Sequence, residues 1–150
     1  MNEQQEFFQL LKYSNELKKN NKFLFHEDFE TFQLLLRFLV TIENNFQYAE
    51  KQEYIELAKE FLDDQITADD FSYSFMALYE GISRKLGPLK EAEALELANF
   101  LKPNRRELGE LFADIYGSCD SFSLDPEIAM SDERELNKGA QSLLVELQEK

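Results

Sequence analysis

Few side chains in this chain are of a type that does covalent chemistry. There is one histidine, His26, and one cysteine, Cys119, and they stand far apart in a sequence of 150 residues. A zinc site built from nitrogen and sulfur ligands needs several such residues and is excluded. A di-iron carboxylate bundle needs two Glu-x-x-His motifs, and none is present. The one run resembling a calcium loop, Asp114-Ile-Tyr-Gly-Ser-Cys-Asp120, has its glycine fourth rather than sixth. No glycine-rich phosphate cradle occurs. His26 reads as a helix-start or packing residue and Cys119 as a small packing or loop residue. Carboxylate pairs are plentiful, but general acid–base work needs a cleft that separates their pKa values. The expectation is a protein that is not an enzyme and holds no metal or cofactor.

What the chain has in excess is negative charge. Thirty acidic residues face sixteen basic ones, for a net −14. Such a surface repels nucleic acid and anionic membranes and draws basic proteins over a range of roughly 8 Å at physiological salt. The charge is densest from Glu110 to Glu135, where eight acids stand against Arg134 alone, a local −7. Much of that run reads as loop, with Gly117–Ser131 the longest irregular segment. The residues expected to bind a basic partner are Asp114, Asp120, Asp125, Glu127, Asp132 and Glu133. Asp132 and Glu133 also suit the dipole of a following helix, and Asp125 also suits a cap for the turn at Pro126.

The elements that would carry these side chains are helical. Five Gly and three Pro give little punctuation for a many-stranded sheet, while 43% hydrophobic residues, including 14 Phe, are ample for a core. Tyr54, Leu57, Ala58, Phe61 and Leu62 form one apolar stripe, and Asp63-Asp64-Gln65 ends that helix. Thr67 stands as an N-cap with Asp70 three residues on, opening a second helix striped by Phe71, Phe75, Leu78 and Ile82. At this spacing Phe71, Tyr73, Phe75 and Tyr79 read as core, with the hydroxyls of Tyr73 and Tyr116 able to reach a surface.

Around this hairpin of 51–65 and 67–86, further helices are expected. One covers Glu3–Lys18, and one runs from about Glu27 to Gln47 with apolar residues on more than one stripe, which implies burial on two sides. Others cover Leu89–Leu101 and Arg105–Tyr116, and a last begins after Ser131 as N-cap, with Leu136, Ala140, Leu143, Leu144 and Leu147 on one face. Gly87-Pro88 is a helix stop. The layout predicts an all-α fold, an antiparallel bundle of about six helices. It reads as a single domain over 1–150, with an N-terminal extension of about 1–48 on a bundle of 50–150. A lone cysteine, no secretory signal and no apolar run of membrane length point to a cytoplasmic protein, a monomer by default.

From about Tyr54 to the C-terminus the chain resembles the colicin D-type self-protective immunity proteins of bacteria. Three stretches carry the likeness: LAKEFLDDQITADDFSYSFMALYEG, ELFADIYGSCDSFSLDPE, and Asp132-Glu-Arg-Glu-Leu136 opening a leucine helix. The first 50 residues have no counterpart in the smaller members. The resemblance implies a helical bundle that binds the nuclease domain of a toxin, typically one that cuts tRNA. It implies too that the acidic surface takes the place of the RNA phosphates. The alternative is an acidic adaptor or regulatory protein that binds another basic cellular protein, using the surplus apolar residues of Phe29–Val40.

Overall fold

The structure, a computed structural model, describes residues 2–85, 94–122 and 132–148. Among these residues it is all-α. Eight helices follow one another: α1 (Glu3–Lys19), α2 (Leu24–Glu27), α3 (Phe29–Ala49), α4 (Lys51–Leu62), α5 (Ala68–Lys85), α6 (Ala94–Ala98), α7 (Arg106–Ser121) and α8 (Glu133–Gln148). Two of them, α2 and α6, are only four and five residues long. The helix expected from about Glu27 is in fact two, because Asp28 breaks the chain between α2 and α3. Its Oδ1 accepts the Thr31 amide and its Oδ2 the Thr31 hydroxyl, at 3.1 and 2.6 Å. That satisfies one of the orphan amides at the start of α3. No helix among the described residues is long and apolar enough to cross a membrane.

The chain divides into two compact units, 1–46 with 86–105 and 47–85 with 106–150. The first joins α1, α2, most of α3 and α6 around Phe7, Leu11, Leu24, Leu35, Ile42, Leu97, Ala98 and Leu101. Asn2 opens α1 with a full capping box, its side chain accepting the Gln5 amide while Gln5 accepts the Asn2 amide. Asn45, buried near the end of α3, ties down the segment after α6. Its Nδ2 donates to the carbonyls of Phe100 and Pro103 at 2.7 and 3.0 Å, and its Oδ1 accepts from Arg105 Nε at 2.9 Å. The 50–150 grouping read from the sequence thus has a segment, 86–105, that belongs with the N-terminal residues.

The second unit is built from α4, α5, α7 and α8. Helix α4 lies most extensively along α8, and α7 packs on both α5 and α8. The hairpin stripes enter this core: Tyr54, Ala58, Phe61, Phe71, Phe75 and Ile82 are buried, together with Leu108, Phe112 and Ile115 of α7. Leu136, Ala140, Leu143 and Leu147 supply the α8 face. Tyr54 touches the rings of both Phe75 and Phe112, at 5.4 and 4.6 Å between centroids. Its hydroxyl donates to Gln47, which is 1% exposed and in turn donates to the Tyr79 carbonyl at 3.2 Å. A buried amide is tolerated here because both of its ends are hydrogen-bonded.

Three expectations change. Tyr73 is 79% exposed, since two residues on from Phe71 is more than half a turn around the helix. The second buried side expected for α3 is absent: Phe29, Leu34, Leu36 and Val40 are all at least 40% exposed. And α7 continues to Ser121, so the loop expected from Gly117 is helical through its first five residues. Ser131 and the Gly87-Pro88 stop lie outside the described residues.

Candidate protein-binding site

The acidic run begins on α7, whose inner face is fixed by Leu108, Phe112, Ile115 and Cys119 in the core of the second unit. The acids of this helix stand away from that face. Glu107, Glu110 and Asp114, all exposed, recur at steps of three and four and so form one acidic ridge. Arg106 partly offsets it, its Nε lying 3.0 Å from Glu110 Oε1. Asp120 is exposed too, but six residues beyond Asp114 it projects about a third of a turn away. Its neighbours are Tyr116 and, through Tyr116, helix α5.

Tyr116 donates its hydroxyl to the Glu80 carboxylate, and its ring lies 5.0 Å from that of Tyr79. The hydrogen bond to Glu80 is the main reason that the phenol is held above its ordinary range, with the negative charge of Asp120 adding to it. Arg84 sits 3.6 Å from the other oxygen of Glu80. This edge of the unit is therefore a linked set of polar groups on α5 and α7.

At the start of α8, Asp132 is the N-cap. Its Oδ1 accepts the amides of Arg134 and Glu135 at 3.1 and 3.2 Å, and its Oδ2 lies 3.2 Å from Arg134 Nη2. The Glu135 amide is the main cause that draws its pKa below the usual carboxylate range. Glu133 is exposed in the first turn of α8, at the rim of a shallow depression with Arg134, Asn137, Lys138 and Gln141. Asp125 and Glu127 lie outside the described residues.

Of the six expected residues, then, two stand on α7 with different outward directions and two at the head of α8. A groove on the α7–α8 surface, which the six residues do not include, brings acidic and apolar side chains together. Glu107, Leu111, Lys138, Gln141, Ser142, Val145 and Glu146 line it. Val145 is 53% exposed, and the signal for it was legible, because position 145 falls off the buried stripe of α8. An apolar floor with a charged rim is the usual anatomy of a protein-binding patch.

The two side chains singled out for their chemistry, Cys119 and His26, are placed apart from this surface. Cys119 is buried, and desolvation pushes its thiol up to about 11, the nearby Ser72 hydroxyl acting weakly in the other direction. His26 is exposed on α2, edge-on to Phe25 at 5.2 Å between ring centroids. Among the described residues no three His, Cys, Asp or Glu side chains converge as a metal site would require.

Charge divides unequally between the units. The first carries eight basic and ten acidic residues, a net −2; the second carries eight and twenty, a net −12. No family model, curated protein or solved structure matches the chain.

Proposed function

We propose that this protein is an immunity-type inhibitor: its second unit binds the basic nuclease domain of a bacterial toxin, of the tRNA-cleaving kind. Bound there, it would present carboxylates where RNA phosphates would otherwise lie. The observation that carries this reading is the concentration of twelve of the fourteen net negative charges in one four-helix unit. Solubility alone asks for no such segregation. The family resemblance of Tyr54 onward falls largely on the same unit.

In this reading the α7–α8 surface receives the partner. Leu111 and Val145 supply apolar contact, and Glu107, Glu110, Asp114 and Glu146 meet lysines and arginines that ordinarily hold RNA. The surplus charge steers encounter, lifting association above the ~10⁵–10⁶ M⁻¹s⁻¹ of neutral partners. Inhibition follows from occupancy of the nuclease cleft and asks no chemistry of this chain.

The test uses the toxin encoded by the gene adjoining this one. Its nuclease domain should cleave tRNA in vitro and stop doing so when one equivalent of this protein is added. A nuclease domain that forms no complex with this protein and keeps full activity in its presence would overturn the proposal.

A further inference from the structure

The outward face of α3 carries an apolar seam that the core of the first unit does not use. Phe29, Leu36 and Val40 are 50, 44 and 46% exposed, and Gln33, also exposed, stands between the first two. The steps are four, three and four. This is the spacing at which a helix inserts side chains into the holes of a facing helix. Helix α3 already satisfies its own unit through Leu35 and Ile42, on the other side.

Two charges flank the seam on one edge. Glu30 and Arg37 are exposed, and neither side chain has an ion pair among the described residues. Seven residues apart, they are separated by about 10 Å along the axis and cannot neutralise each other. In a second copy of the same helix running the other way they can. Antiparallel pairing that sets Phe29 against Val40 of the second copy, and Gln33 against its Leu36, puts Glu30 beside the opposing Arg37. Two-fold symmetry repeats the pair. A parallel arrangement faces this edge with the opposite one, where Phe32 and Leu39 stand, and leaves both charges unmatched.

We propose that α3 pairs with α3 of a second copy, antiparallel, to form a symmetric dimer. The occupant is this chain itself because the complement of its flanking charges is its own pair. The near-neutral first unit, at −2, also lacks the repulsion that would oppose pairing through the second, at −12. Phe25, half-exposed and edge-on to Phe29 at 5.2 Å, extends the apolar surface at each end. The seam spans only about 16 Å of helix. Such an interface is small, so the dimer should be reversible, with a dissociation constant on the order of 10–100 μM.

Sedimentation equilibrium of the full chain tests this, from about 5 to about 500 μM. The mass should rise from one chain to two across that range. Glu30→Arg and Arg37→Glu should each hold the protein at one chain mass, and the double exchange should restore the dimer. Leu36→Glu with Val40→Glu should abolish it while the far-ultraviolet circular dichroism stays unchanged. Should that pair disturb folding, the exposed charge variants carry the test. A single chain mass at the highest concentration, a dimer indifferent to these substitutions, or a double exchange that fails to restore it would each overturn the proposal.

Discussion

Thr67 shows how much one side chain can specify. Its Oγ1 accepts the Asp70 amide at 3.1 Å, and its own amide donates to Asp70 Oδ2 at 3.3 Å, a reciprocal box that opens α5. Thr67→Ala removes the acceptor and should lower stability by about 1 kcal/mol in urea melts, with no change in the cooperativity of unfolding. Cys119 gives a second expectation. Its folded-state pKa, raised to about 11, leaves it protonated at neutral and mildly alkaline pH. Native protein at pH 8 should therefore react with thiol reagents no faster than it unfolds, and urea should release the reactivity of an ordinary thiol. Rapid labelling in native buffer would show that Cys119 is not held as described. The acidic caps have the opposite sign. Asp28 and Asp132 have depressed pKa values from the amides and side chains they accept, so what they contribute is present above the ordinary carboxylate pKa. It is lost as pH falls below it.

At the scale of elements, Gly117 of α7 and Gly139 of α8 differ in what surrounds them. Gly117 has nothing within 4 Å of the position a Cβ would take, whereas a Cβ at Gly139 would lie 3.0 Å from Ile115 Cγ1. Ile115 is a core residue and has little room to retreat. Gly117→Ala should stabilise by up to about 1 kcal/mol through backbone entropy and helix propensity. Gly139→Ala should fail to show that gain, and thermal melts of the two variants side by side decide it. Equal stabilisation would mean that α7 and α8 approach less closely than the geometry indicates. Helix α3 illustrates the opposite situation, an apolar face with no counterpart among the described residues of its own unit.

For the whole molecule, the governing quantity is where its charge resides. If the second unit is the inhibitory surface, Glu110→Lys with Asp114→Lys should slow association with the nuclease partner at least about tenfold, because both lie on the same exposed ridge. Stability should stay within about 0.5 kcal/mol, as for surface positions generally. Asp120→Lys, directed elsewhere around α7, should have a smaller effect. Raising salt should slow association of the unaltered protein and leave the double variant less sensitive. Stopped-flow association at several ionic strengths reads all three, and an Asp120 effect larger than that of the pair would move the interface to the Glu80–Tyr116 edge.

The sequence by itself determined the helices and the buried stripes of the hairpin, of α7 and of α8, because those signals are local. Caps, dipole-matched acids and apolar steps of three and four act within one or two turns. It also determined that the protein is acidic and poor in reactive side chains. Only the tertiary structure decided which outward-facing residues share a surface. Asp114 and Asp120 look like neighbours in the sequence, yet helical rotation separates them once α7 is known to extend past Gly117. Phe29, Leu36 and Val40 have the composition of a core, but burial depends on whether another element lies opposite, and none among the described residues of the first unit does. Gln47 and Asn45 carry no local signal, since Gln47 ties Tyr54 to a Tyr79 carbonyl 32 residues away and the partners of Asn45 stand more than 50 residues away. The division of charge into −2 and −12 belongs to the same class, because 86–105 joins the first unit through contacts that no local pattern encodes.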